Sequence, residues 1–120
     1  MEKAKWKKKI VKACKDAGTY RPFFDSVIDS LSGIMENRDI AHEQYVASGS
    51  KPTVIHTNKA KEKNIAKNPA LVMEMELNSQ ALSYWRDLGL TPAGFKKIKQ
   101  DMKEEQASFD KILEELVNEE

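Results

Sequence analysis

Leu88-Gly-Leu-Thr-Pro-Ala-Gly-Phe-Lys-Lys-Ile98 decides how this chain folds, because its residues suit a joint between two helices. Gly89 fits the left-handed position just past a helix end. Thr91 is a good N-cap, and Pro92 fits the first helical position, where its missing N–H costs nothing. Leu90 and Phe95 stand at the two positions that form a hydrophobic staple. The joint is two or three residues long, so one helix ends, the chain turns sharply, and another helix begins.

Upstream of this joint, Asn68-Pro69 is another helix start, an N-cap followed by proline. The helix it opens carries Leu71, Met75, Leu82, Trp85 and Leu88 on one stripe, interrupted by Asn78. Asn78 suits either a register-fixing place in an oligomeric interface or a water-bonded surface position. Further back, Pro22 to about Ser48 places Phe24, Val27, Ile28, Leu31, Ile34, Met35, Ala41, Tyr45 and Val46 at spacings of three and four. That spacing predicts an amphipathic helix about 39 Å long, stopped by Ser48-Gly-Ser50. The first helix runs from about Lys3 to Ala17, with Trp6, Ile10, Ala13, Cys14 and Ala17 near one face, and Gly18 ends it.

Lys51 to Lys67 has no helical stripe. Pro52-Thr-Val-Ile-His-Thr57 is a β-branched patch suited to a strand or one arm of a hairpin. Downstream, the last helix carries Phe95, Ile98, Met102, Phe109, Ile112, Leu116 and Val117, a coiled-coil-like spacing broken by the polar Glu105-Gln106. The expected fold is all-α, with a short basic N-terminal helix and long central helices forming an antiparallel, hairpin-like core. A long loop or short β-hairpin joins those two helices, and a C-terminal helix follows the Gly-x-Thr-Pro turn. By residue, 1–18 is the basic N-terminal segment, 19–98 a helical oligomerisation core with a basic loop at 49–68, and 99–120 an acidic C-terminal helix or tail.

The chain has 120 residues, 40% hydrophobic and 32% charged. That is one domain's worth of sequence, and long helices on short turns often complete their cores with a partner. No apolar run approaches the roughly 20 residues of a membrane span, and no apolar stretch follows the basic N-terminus as a secretory signal requires. Cys14 is alone, which excludes an internal disulfide and fits a reducing cytosol.

The net charge of +1 conceals a segregation. Lys3, Lys5, Lys7, Lys8, Lys9, Lys12 and Lys15 oppose only Glu2 in the first fifteen residues. At the other end Glu104, Glu105, Asp110, Glu114, Glu115, Glu119 and Glu120 oppose only Lys111. In the last helix Lys96, Lys97 and Lys99 sit near the positive end of the dipole and the glutamates crowd the negative end. Both groups oppose the macrodipole, at about 0.3–1 kcal/mol per well-placed charge. The pattern therefore serves an antiparallel neighbour or a partner protein, unless the segment is a frayed tail.

Catalysis has little support. His42 and His56 have no metal-site spacing, and the glycines are scattered singly, without a phosphate loop. Cys14 lies among lysines that would activate it, but no base is indicated beside it. Asp25-Ser and Asp29-Ser fit a solvated helix face. No cofactor or metal is expected, and the chain does not read as an enzyme. Nucleic-acid binding has more support, because lysines concentrated on one short helix grip phosphate without reading bases. A solubilising tail or contact with an anionic membrane surface are the other readings of that run, and the small apolar face disfavours the membrane. Lys59, Lys61, Lys63 and Lys67, interleaved with Asn58, Asn64 and Asn68, form a second basic stretch that suits phosphate or plain loop turns.

Tyr20-Arg-Pro-Phe-Phe24, Arg38-Asp39, His56-Thr-Asn-Lys59, Asn64-Ile-Ala-Lys-Asn-Pro69 and Tyr84-Trp-Arg-Asp-Leu-Gly-Leu-Thr-Pro92 occur in an order and spacing that resembles the phage terminase small subunit family. The resemblance implies a helical, ring-forming, non-enzymatic subunit in the cytoplasm of an infected or lysogenic bacterial cell. Such a subunit binds double-stranded viral DNA and passes it to the large terminase subunit, which holds the ATPase and nuclease. It maps DNA binding onto the N-terminal lysines, Lys3 to Lys15, and ring formation onto the central helices, Pro22 to Ser48 and Pro69 to Leu88. Phe24, Ile28, Leu31, Met35, Leu71, Met75, Leu82, Trp85 and Leu88 are then interface or core. Large-subunit binding maps onto Glu104, Glu105, Glu114, Glu115, Glu119 and Glu120. No helix-turn-helix precedes Tyr20, and Lys61-Glu-Lys63 stands where the family pattern suggests glycine and small residues. The alternatives are a helical protein–protein interaction module and a small dimeric DNA-binding regulator.

Overall fold

The computed structural model describes residues 1–118. In chain order it comprises α1 (Lys3–Ala17), a single 3₁₀ turn (Pro22–Phe24), α2 (Asp25–Ala47), β1 (Thr53–Thr57), β2 (Lys63–Lys67), α3 (Pro69–Asp87) and α4 (Pro92–Asn118). The family of expected helices is present, and the basic loop is a two-stranded antiparallel hairpin. What the spacing presented as one helix from Pro22 is a 3₁₀ turn running into α2, because Pro22 and the aromatic pair behind it tighten the first turn.

Local chemistry explains each boundary. Gly18 closes α1 with φ 72° and donates its N–H to the Lys15 carbonyl. Gly89 closes α3 with φ 73°, and the Thr91 hydroxyl accepts the Gly94 N–H at 3.1 Å to start α4. Asn68 is 3% exposed and works on three sides. Its side-chain oxygen accepts the Ala70 N–H at 3.1 Å, capping α3. Its amide donates to the Ser48 hydroxyl and the Lys51 carbonyl, tying the root of the hairpin to the end of α2.

The hairpin pairs Thr53 with Lys67 and Thr57 with Lys63, in register through Ile55 and Ile65. Its turn needs no glycine. The Asn58 side-chain oxygen accepts from Ala60 N and Glu62 N at 3.0 and 2.9 Å, and Lys61 takes the left-handed position with φ 61°. An asparagine-anchored turn of this kind satisfies its own backbone.

α2 lies at the centre, with α3 against one side and α1 against another. Trp6, Ile10 and Cys14 from α1, Ile28, Leu31 and Met35 from α2, Ala81 from α3 and Leu88 just past its end make the core. Phe24, Tyr84, Trp85 and Leu90 pack around it. Thr19, 1% exposed, pins the α1–α2 connection by donating its hydroxyl to the Leu88 carbonyl at 2.9 Å. The core therefore sits at one end of the α2/α3 pair, beside the Gly89 joint. α4 leaves that joint as one unbroken helix from Pro92 to Asn118, and only Gly94 in it is buried. The molecule is consequently 87 Å long and about a quarter as wide, at 24 × 21 Å.

Candidate nucleic-acid interface and acidic arm

Buried Trp6, Ile10 and Cys14 hold α1 to α2, and an acidic stripe on α2 lines the edge of that contact. Asp25, Asp29, Glu36 and Asp39 lie four, seven and three residues apart, which places them on one face of α2. The Lys3 ammonium reaches Asp29 at 3.1 Å, and Lys7 reaches Asp25 at 3.3 Å and Asp29 at 3.7 Å. Glu36 accepts the Lys3 backbone N–H at 2.7 Å, putting a carboxylate at the positive end of α1. Asp39 accepts from the Trp6 indole at 2.7 Å and from the terminal ammonium of Met1 at 3.0 Å. These pairings run α1 antiparallel to α2.

The electrostatics follow the geometry. Hydrogen bonding from Lys3, with the charges of Lys3 and Lys7, lowers the Asp29 carboxyl below the usual value. Burial pushes the Asp39 carboxyl up, but the hydrogen bonds from Trp6 and the terminal ammonium, with the Arg38 charge, outweigh it and leave it lowered. Burial pushes the Cys14 thiol up against the opposing hydrogen bond with Thr19. Cys14 is a wholly buried core residue, so the lysines around it in sequence do not make it a nucleophile.

The seven N-terminal lysines therefore divide. Lys3 and Lys7 are engaged with α2. Lys5, Lys8, Lys9, Lys12 and Lys15 are exposed along the outside of α1. Lys12 pairs with Asp16 at 3.2 Å within the same helix, an exposed contact worth little. Lys9 and Lys15 lie over the Trp6 and Tyr20 rings at 5.0 and 5.1 Å. The sequence did not reveal this division, although the Asp25–Asp39 spacing carried the signal.

The second basic set is on the hairpin. Lys59 and Lys61 are in its turn and Lys63 and Lys67 on β2, all exposed. The hairpin leaves the C-terminal end of α2, whereas Lys15 lies beside Tyr20 near its N-terminal end, so the fold does not merge the two sets into one patch.

Of the residues expected in an interface or core, Ile28, Leu31, Met35 and Leu88 are buried, and Phe24, Leu71 and Trp85 are partly so. Met75 and Leu82 are exposed and do not enter the core of the single chain. The face of α3 that meets α2 is the Glu74, Leu77, Ala81, Tyr84, Leu88 stripe, with Glu74 bonded to His42 at 2.9 Å. Met75 and Leu82, seven residues apart, remain as an open apolar surface, and Met73 is exposed on a different side of the helix.

Glu104, Glu105, Glu114 and Glu115 are exposed on α4, which carries Phe109, Ile112, Leu113, Leu116 and Val117 uncovered beside them. Glu119 and Glu120 lie outside the described residues. Among the described residues no three His, Cys, Asp or Glu side chains converge as metal ligands would, and no helix is long and apolar enough to cross a membrane.

The fold defines a helical-hairpin protein with a lysine-bearing helix clamped at its core end and an acid-rich helical arm. The family model for the phage terminase small subunit matches residues 3–105, and the chain belongs to that family. No curated protein and no solved structure matches it. The family match takes in α1, the core and the hairpin, and stops before the uncovered apolar residues of the arm begin at Phe109.

Proposed function

We propose that this chain is the non-enzymatic DNA-recognition subunit of a phage genome-packaging machine, working in the cytoplasm of the bacterial host. It grips double-stranded DNA by phosphate through Lys5, Lys8, Lys9, Lys12 and Lys15, with the hairpin lysines Lys59, Lys61, Lys63 and Lys67 as a separate second contact. It assembles with copies of itself into a ring, and α4 recruits the large terminase subunit.

The observation that carries this reading is the division of α1. Buried Trp6, Ile10 and Cys14 fix the helix to α2, and Lys3 and Lys7 pair with its acids, so the other five are presented on an ordered scaffold rather than a solvated tail. A single subunit offers few contacts, and a ring multiplies them through avidity. The open apolar surfaces of α3 and α4 support self-assembly, since such surfaces mark interaction sites when contiguous.

The test is a duplex-DNA titration across salt concentration. Each phosphate contact adds about −0.9 to the log–log slope on duplex DNA. The triple variant Lys8→Glu, Lys9→Glu, Lys12→Glu should bind at least tenfold more weakly with a shallower slope, while its circular dichroism stays unchanged. Unchanged affinity removes α1 from the DNA reading.

A further inference from the structure

We infer that the tip of α4 in one copy of this chain docks on the outer face of α1 in the next copy. Three features of the two surfaces match. The first is charge: α1 presents Lys8, Lys12 and Lys15 outward, and α4 carries Asp110 and Glu115 at the borders of its apolar stripe, with Glu105 in line with it one turn before Phe109.

The second is apolar pattern. Ala4 and Val11, seven residues apart, floor a shallow cleft of about 620 Å³ walled by Lys7, Lys8, Lys12 and Lys15, with Asp16 at its edge paired to Lys12. On α4, Phe109 and Leu116 are seven residues apart and 56% and 59% exposed, with Ile112 and Leu113 between them. A stripe with this period lies along a helical groove at near-parallel crossing. The third is length. Residues 103–118 project beyond Met102 for about 24 Å, and α1 is about 22 Å long at 1.5 Å per residue.

The arm does not reach its own α1, because α4 leaves the core end of an 87 Å molecule as one unbroken helix. The contact therefore joins two different patches of two copies. Such heterologous contacts propagate head to tail and close into a ring when the rotation permits. Docking also covers lysines that the DNA reading uses and the arm that the large subunit would meet, so DNA and the arm compete for α1, and α1 and the large subunit for the arm. That competition, unlike the docking, rests on the proposed function.

Cysteine cross-linking of the full chain tests both. In the double variant Lys8→Cys, Leu113→Cys, mild oxidation should give a ladder of disulfide-linked multimers on a denaturing gel, fading as salt rises and screens the exposed charges. Lys8→Cys alone and Leu113→Cys alone should give no ladder and only trace dimer. Efficient dimerisation by Leu113→Cys alone would mean that two arms pair with each other and would overturn the proposal. An absence of multimers in the double variant, with circular dichroism showing it folded, would overturn it too. Added duplex DNA should suppress the ladder; a ladder indifferent to DNA leaves the docking standing and takes α1 out of the DNA reading.

Discussion

Asp39 is one carboxylate serving two donors, the Trp6 indole and the terminal ammonium of Met1. Removing it leaves a largely buried indole N–H without an acceptor, which costs about 1–3 kcal/mol. Asp39→Ala should lower the unfolding free energy by that amount in urea titration, and Asp39→Asn by less, because an amide oxygen still accepts from Trp6. The sign of the pH effect follows from the lowered folded pKa. Its stabilisation is fully present above the unfolded value of about 3.9 and is lost as pH falls through the folded value. Thermal melts below about pH 4 should therefore decline less steeply in Asp39→Asn than in the parent. Gly94 acts through space rather than charge. A Cβ there would overlap the Arg86 carbonyl oxygen, a backbone atom that cannot step aside. Gly94→Ala should force α3 and α4 apart and lower the melting temperature, whereas Gly33→Ala, whose Cβ would meet only the Lys3 side chain, should not. The need at Gly94 was invisible in the sequence, where it is one more isolated glycine, because the demand comes from the turn folding α4 back past Arg86.

At the scale of elements, the chain declared its boundaries more clearly than its faces. Gly18, Asn68-Pro69 and Gly89-Leu-Thr-Pro92 act locally, through dihedral preference and capping, so their effect could be read without knowing the neighbours. Which side of α3 faces α2 depended on packing. Small Ala81 permits close approach and Glu74 meets His42, so the helix turns that face inward and leaves Met75 and Leu82 outside. The lysine helix was legible, but its partition into structural and exposed lysines required α2 as a partner. The arm gives the sharpest element-level expectation. Among the described residues none beyond Met102 is buried, so truncation after Met102 should leave the unfolding free energy of the monomeric core within about 0.5 kcal/mol of the parent. If urea titration shows a larger loss, α4 supports the core.

For the whole molecule, charge is sorted along its length: lysines on the helix clamped to the core and on the hairpin, acids on the projecting arm. Exposed opposite charges on different copies attract most at low ionic strength and lose reach as the screening length falls to about 8 Å at physiological salt. The absolute mass by light scattering should therefore fall as salt rises from low to moderate values. A mass independent of salt would assign assembly to the apolar surface of α3 instead.

The projecting arm also changes how the protein travels. Its radius of gyration is 22.1 Å, the value that compact-domain scaling gives for a globular chain of about 430 residues. A single copy should therefore leave a sizing column ahead of its 13.7 kDa mass. Removing residues beyond Met102 should delay its elution far more than the lost mass alone would.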